Sequence, residues 1–93
     1  MSNYKEIRRL GCCDMRALCI KHDWCTHMDN DEYRVLLDRA ECDNLTTEDI
    51  VWLANTICNA SDIPGGMRMR DEFFEFVAFE ILDACSTVLV KKN

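Results

Sequence analysis

An apolar stretch between Asp71 and Val90 constrains the fold of this chain more than any other feature. It reads DEFFEFVAFEILDACSTVLV, and its apolar residues recur at steps of three and four, the period of one helix face. We therefore expect a long core helix with a buried stripe of Phe74, Val77, Ala78, Ile81, Leu82, Cys85, Val88 and Leu89. Phe73, Phe76 and Phe79 fall outside this stripe, so the helix is predicted to meet other elements, or another molecule, around much of its girth.

The N-terminal third is expected to contain two short elements and a connection. Residues Met1–Gly11 favour a short helix or an ordered arm, because apolar side chains recur there every three residues, at Tyr4, Ile7 and Leu10. Asp14 is placed to cap a second short helix, whose apolar side is marked by Met15, Leu18, Cys19 and His22. The following segment, Asp23–Asn30, has no helical period, and we expect an extended connection with Trp24 turned inward.

Two helices with clear start signals are predicted in the middle of the chain. Asp29 or Asn30 can cap the first of them, and its inward face would carry Tyr33, Leu36, Leu37 and Ala40. Thr46, with an acidic side chain three residues on at Asp49, fits a capping box. The helix that starts there is expected to run to about Ala60, with a core face of Ile50, Leu53, Ala54, Ile57 and Cys58.

The segment Ser61–Arg70 is the one predicted loop, since it contains Pro64 and a pair of glycines. We expect this segment, 61–70, to be mobile and the long C-terminal helix to follow it. The sequence therefore predicts an all-α fold, a small single-domain bundle of four to five helices spanning residues 1–93.

Composition narrows the possible functions. The chain has 93 residues, of which 48% are hydrophobic and 30% charged, proportions typical of a folded globular domain. Seventeen acidic against eleven basic residues give a net charge of -6, which opposes general attraction to nucleic acid or anionic lipid and favours basic partners. No apolar run is long enough to cross a bilayer. Seven cysteines without a recognisable signal peptide suggest reduced thiols in the cytoplasm.

Thiols and imidazoles that could bind zinc are concentrated in one short segment: Cys12, Cys13, Cys19, His22, Cys25 and His27. The first two are adjacent rather than separated by two to four residues, and no second pair of ligands lies downstream, so buried thiols are the expected interpretation. No nucleophile, acid–base or phosphate-binding motif stands out either. We therefore expect a protein that is not an enzyme, with no catalytic residues, no cofactor and no bound metal.

The region from Asp14 to Arg39 resembles the SAP-type helix-extended-helix unit, with matches at Leu18, Ile20, Trp24, Leu36 and Leu37. That family binds DNA through the loop and the start of the following helix, helped by a glycine and basic residues. Here Met28 stands where the glycine belongs, and the cations are replaced by Asp29, Asp31 and Glu32. Because those carboxylates would repel phosphate, the resemblance implies the local fold, and direct nucleic-acid binding is not expected.

Three phrases, LCIKHDWCTHMDNDEYRVLLD, NLTTEDIVWLANTIC and VAFEILDAC, together look similar to small accessory proteins carried by phages and mobile elements of gut Firmicutes. Such proteins often bind and block a host factor, as anti-CRISPR proteins do. The resemblance implies a cytoplasmic inhibitor that acts on a bacterial nucleic-acid-binding or defence protein by covering its surface.

Two surfaces are predicted to contact such a partner. The acidic start of the third helix can mimic phosphate towards a basic groove, and methionines, arginines and aromatics near the long helix are residue types enriched in protein interfaces. The predicted partner-binding residues are Asp29, Asp31, Glu32, Met67, Arg68, Met69, Arg70, Phe73 and Phe76. A homodimer through the final helix is compatible with this hypothesis. The alternative is a small nucleic-acid-binding or transcription-regulatory protein, which would need one basic face formed by Lys5, Arg8, Arg9, Arg16 and Lys21.

Overall fold

The structure is a computed structural model that describes residues 3–61 and 66–91, except for the side chains at 66–68. The described elements are β1 (Tyr4–Arg9), α1 (Cys12–His22), α2 (Asn30–Ala40), α3 (Thr47–Ala60), α4 (Gly66–Ala84) and β2 (Ser86–Lys91). The all-α prediction is therefore wrong, because the two ends of the chain pair as strands. The fold is four helices with a two-stranded antiparallel sheet.

The sheet joins the segments that begin and end the described chain. β1 and β2 are paired without a bulge from Tyr4 opposite Lys91 to Arg9 opposite Ser86, with Ile7 directly opposite Val88. Ile7 is buried, and Val88 and Val90 are half-buried on the same face of the sheet. Of the two alternatives predicted for the N-terminal segment, a short helix or an ordered arm, the helix is not formed. The segment is instead ordered as strand β1.

The long C-terminal helix ends earlier than its apolar pattern predicted. α4 stops at Ala84, and the part of the predicted stripe after Cys85 lies in β2. Thr87, Val88 and Val90 are β-branched, which lowers helix propensity and suits a pleated strand. A short apolar run fits both a helical and a strand period, so only the pairing with β1 decides between them.

α4 also begins earlier than predicted. Its first residue is Gly66, so residues 66–70 of the expected loop are helical. The Arg70 guanidinium donates a hydrogen bond to the Asn59 side-chain oxygen, which ties the first turns of α4 to the end of α3. The rest of the loop predicted to be mobile, residues 62–65 with Pro64, lies outside the described residues.

The connection between α1 and α2 is made of turns rather than the extended segment that we predicted. Asp23 adopts a left-handed conformation with φ of 59°, which ends α1 and allows the Trp24 N–H to donate to the Cys19 carbonyl at 3.1 Å. Trp24 is buried with 4% exposure, as expected. At the other end of α1, Asp14 is not the cap: the helix begins after Gly11, whose N–H donates to the Asp14 carboxylate at 3.4 Å.

The starts of α2 and α3 follow the sequence signals. Asp29 caps α2 by accepting from the Glu32 N–H at 2.8 Å. Thr46 and Asp49 form the predicted capping box: the Thr46 hydroxyl accepts from the Asp49 N–H at 3.2 Å, and the Asp49 carboxylate accepts from the Thr46 N–H at 3.0 Å. α3 ends at Ala60, where it was expected to end.

One hydrophobic core holds these elements together. α3 contributes Ile50, Leu53, Ala54 and Ile57, and α4 contributes Val77 and Ile81, both fully buried. Cys58, the fifth residue of the predicted α3 face, is also buried. The other buried apolar side chains of this cluster are Leu10, Met15, Leu18, Cys19, Trp24, Leu36, Ala40 and Leu45. α4 packs against α3 and α1, and α2 also packs against α1 and α3; within the described chain no Cα atom of α2 lies within 8 Å of one in α4.

Candidate functional site: an aromatic face on α4 and an acidic groove on α2 and α3

The side of α4 that faces away from the core carries a row of apolar side chains. Phe76, Phe79 and Leu82 follow one another at three-residue steps and are 43%, 64% and 36% exposed. At about 100° per residue, Phe79 points away from both Val77 and Ile81, which are buried. We call these three residues the aromatic face of α4.

Phe76 is held in place by an aromatic cluster at the end of α1. The His22 and Trp24 rings are stacked, with centroids 4.7 Å apart. Phe76 presents itself edge-on to both rings, at 5.2 Å from His22 and 6.3 Å from Trp24. The His22 Nε2 lies 3.3 Å from the Glu80 carboxylate without forming a hydrogen bond to it. These contacts fix part of the aromatic face before any partner binds.

Carboxylates border the aromatic face. Glu75 and Asp83 lie four residues before and after Phe79, on the same side of the helix, and both are exposed. Exposed aromatic surface beside negative charge is complementary to a protein surface that combines apolar and basic side chains. No basic residue lies in the last turn of α4.

A second surface lies between α2 and α3. Asp31, Glu32, Val35, Trp52 and Thr56 line a cavity of about 290 Å³, which we call the acidic groove. Its floor is apolar, since Val35 is 53% exposed and Trp52 is half-buried. The lining of the groove is almost entirely apolar, so it suits the aliphatic part of a long side chain. The exposed carboxylates of Asp31 and Glu32 belong to the first turn of α2 beside it.

One end of the acidic groove is fixed by Arg39. Its guanidinium lies 4.9 Å from the centre of the Trp52 ring, and its Nε donates to the Asp49 carboxylate at 3.0 Å. The pKa of Asp49 is lowered, chiefly by the Thr46 backbone N–H and further by the Thr46 hydroxyl and Arg39. Asp49 therefore belongs to the scaffold beside the groove.

The predicted partner-binding residues are divided between the two surfaces. Asp31 and Glu32 line the acidic groove, whereas Asp29 is used as the cap of α2. On α4, Met69 is 47% exposed and Phe76 belongs to the aromatic face.

Other predicted site residues have structural roles or cannot be placed. Phe73 is half-buried and packs on the core, and Arg70 is bonded to Asn59. The side chains of Met67 and Arg68 lie outside the described part of the chain. Within the described chain no Cα atom of α2 lies within 8 Å of one in α4, so the predicted residues are divided between separate helices.

Two functional candidates escaped sequence reasoning. Phe79 was expected outside the core stripe but was not among the predicted partner-binding residues, although it is the most exposed aromatic of α4. The role of Trp52 in the groove has no local signal, because it depends on how α2 packs against α3.

The cysteine and histidine cluster is divided by the fold. Cys19 and Cys25 line a surface cavity of about 370 Å³. A hydrogen bond from the Cys19 thiol lowers the pKa of Cys25, while this bond and burial raise the pKa of Cys19. Cys12 lies near Glu41, whose charge raises the pKa of the Cys12 thiol. His22 instead faces Trp24 and Glu80. Within 3–61 and 66–91, no three His, Cys, Asp or Glu side chains are grouped to hold a metal ion.

The described helices include none with the length and apolar character needed to span a bilayer. No family model, no curated protein and no solved structure matches this chain.

Proposed function

We propose that this protein is a cytoplasmic, non-catalytic protein-binding module that inhibits a bacterial nucleic-acid-binding or defence protein by covering its basic surface. Anti-CRISPR proteins and other cargo of phages and mobile elements act in this way. The observation that carries the proposal is the aromatic face of α4, where Phe79 is 64% exposed between Glu75 and Asp83.

The aromatic face supports this proposal because it combines the properties of an interface hot spot. Aromatic side chains contribute strongly to protein binding when they enter a pocket of the partner and lose their water. Phe76 is already ordered by His22 and Trp24, so less side-chain entropy is lost when a partner binds. An exposed row of this kind on a small protein is a typical sign of a contact surface.

Charge specifies the kind of partner. The net charge of -6 and the carboxylates beside both surfaces favour a positively charged protein surface and speed encounter with it. The guide and target channel of an RNA-guided nuclease is such a surface. The acidic groove can receive a lysine or arginine side chain of the same partner, with Asp31 and Glu32 as its counter-ions.

The test is binding to a purified, guide-free CRISPR effector nuclease, followed by native mass spectrometry and by a DNA-binding competition assay. We expect a stoichiometric complex and loss of DNA binding by the nuclease. Phe79→Ser should weaken the complex by about thirtyfold, which corresponds to a hot-spot contribution of about 2 kcal/mol. Val51→Ser is the matched control, because Val51 is an exposed apolar residue of α3, 41% exposed, outside both surfaces.

Two results would reject the proposal. One is the absence of any complex with the nuclease, and the other is equal weakening by Phe79→Ser and Val51→Ser. Direct binding of the chain to duplex DNA at physiological salt would support the alternative of a nucleic-acid-binding regulator. That alternative requires one basic face, yet alternation along β1 places Arg8 and Arg9 on opposite sides of the sheet. Arg9 also donates to the Asp43 carbonyl at 3.4 Å.

A further inference from the structure

The two edges of the sheet differ. The outer edge of β1 is occupied near its end: the Arg8 carbonyl accepts from the Leu45 N–H at 2.8 Å, and Leu10 forms bridges with Glu41 and Cys42. Along the outer edge of β2, no backbone hydrogen bond to another element is formed within the described chain. An edge strand without a partner is a template for pairing with another strand.

The register shows which backbone groups lie on that edge. Arg8 turns its carbonyl away from β2, so Arg8 and Thr87 form a pair of the type that exchanges no hydrogen bonds. These pairs alternate with hydrogen-bonded pairs along an antiparallel ladder. The outward N–H and C=O groups of β2 are therefore those of Thr87, Leu89 and Lys91.

β2 also lacks the features by which natural edge strands avoid pairing. Ser86–Val90 contains no charge, no proline and no glycine, and its pairing with β1 has no bulge. Leu89 is 64% exposed on the outer face, although it is large and apolar. Lys91, at the end of the strand, is the only charged residue of β2.

We propose that the outer edge of β2 binds the same edge of a second copy of this chain, giving an antiparallel four-stranded sheet. A two-fold axis at Leu89 places Leu89 opposite Leu89 of the second copy and Thr87 opposite its Lys91. All three outward-facing residues are then paired, with about six backbone hydrogen bonds between the copies. The two exposed Leu89 side chains cover each other on the outer face.

Charge and symmetry select this arrangement. Antiparallel pairing about Leu89 keeps the two Lys91 side chains at opposite ends of the interface, whereas parallel pairing in register would place them side by side. A shift of the axis to Val88 would place Lys91 of each copy opposite Cys85, outside β2, and a shift to Val90 would place Thr87 beyond the described end of β2 in the second copy. The arrangement is isologous and closes as a dimer, because both copies use the same edge, that of β2.

Sedimentation velocity of the full chain over a wide concentration range, with a reducing agent to prevent disulfides, tests the proposal. We expect the mass to rise reversibly from 10.8 kDa towards twice that value. Leu89→Pro removes an outward N–H that the pairing with β1 does not use, and should abolish the dimer. Leu89→Lys keeps that N–H but places like charges opposite each other, and should also abolish it.

The control is Phe79→Ser, which removes an exposed apolar residue from α4 and leaves the edge of β2 intact; this variant should remain dimeric. Circular dichroism establishes whether each variant is folded. If Leu89→Pro does not fold, Leu89→Lys alone tests whether the edge of β2 forms the dimer. A wild-type chain that stays monomeric at every concentration would overturn the proposal. A dimer that persists in folded Leu89→Lys would also overturn it. Loss of the dimer in Phe79→Ser alone would place the interface on α4 and would likewise overturn it.

Discussion

The orientation of α4 predicts opposite effects for two substitutions that are two residues apart. Phe79 is 64% exposed and Ile81 is fully buried. Phe79→Ser removes a side chain that is mostly in water already, so the free energy of unfolding should change by about 0.5 kcal/mol or less. Ile81→Ala removes buried methyl and methylene groups and leaves a cavity beside α3, which should cost about 2–5 kcal/mol.

The loss expected for Ile81→Ala is a large fraction of the stability of a small domain, which is roughly 5–15 kcal/mol. Ile81→Val is therefore the companion variant, with an expected loss of about 1 kcal/mol. The assay is urea unfolding followed by tryptophan fluorescence, because Trp24 is buried in the core and will be exposed on unfolding.

The comparison refutes the argument if Phe79→Ser destabilises the protein as much as Ile81→Ala does. Such a result would mean that Phe79 is packed inside the protein and that α4 is rotated about its axis. The aromatic face would then be part of the core, and both its exposure and its proposed role in binding would be lost.

Three further predictions concern the scaffold and the thiols. Thr46→Ala should destabilise the protein by about 1 kcal/mol in urea unfolding, because the α3 capping box loses its hydroxyl. Folding lowers the pKa of Asp49 from 3.8, so the stabilising contribution of this carboxylate is complete above about pH 3.8 and is lost as the pH falls through the lower folded pKa. The unfolding midpoint of Asp49→Asn should therefore depend less on pH in that range than the wild-type midpoint does. An unchanged pH dependence would contradict this assignment. Iodoacetamide should modify Cys25 faster than Cys58 in the folded protein, as followed by mass spectrometry of peptides, since the Cys19 thiol lowers the pKa of Cys25 while burial raises that of Cys58.

Features determined by local sequence were predictable. The caps at Asp29 and Thr46 depend on side chains that reach backbone groups three residues away, and such signals are present in any short window. The core face of α3 follows from its helical period for the same reason.

The sheet was not predictable from local patterns. Ile7 and Val88 lie near opposite ends of the chain and become neighbours only in the fold. Each segment alone is too short for its period to separate a strand from a helix. The predicted partner-binding residues at the starts of α2 and α4 are separated for a similar reason: the distance between these helix starts depends on how both helices pack around α3.

The candidate site could be predicted in part. The helical period placed Phe73, Phe76 and Phe79 outside the core stripe, and Phe76 was predicted to bind a partner because aromatics are enriched in protein interfaces. Which of these aromatics remain exposed is decided by packing: Phe73 is drawn against the core, while Phe79 points into solvent.

The central claim, that the aromatic face of α4 contacts a basic partner, is tested most directly by photo-crosslinking. Benzoylphenylalanine would replace Phe79 in one variant and Val51 in a control, and each variant would be irradiated with a purified guide-free CRISPR effector nuclease. The account predicts a covalent complex from position 79, at residues lining the basic nucleic-acid channel, and none from position 51. Crosslinking from position 51 but not from position 79 would contradict it.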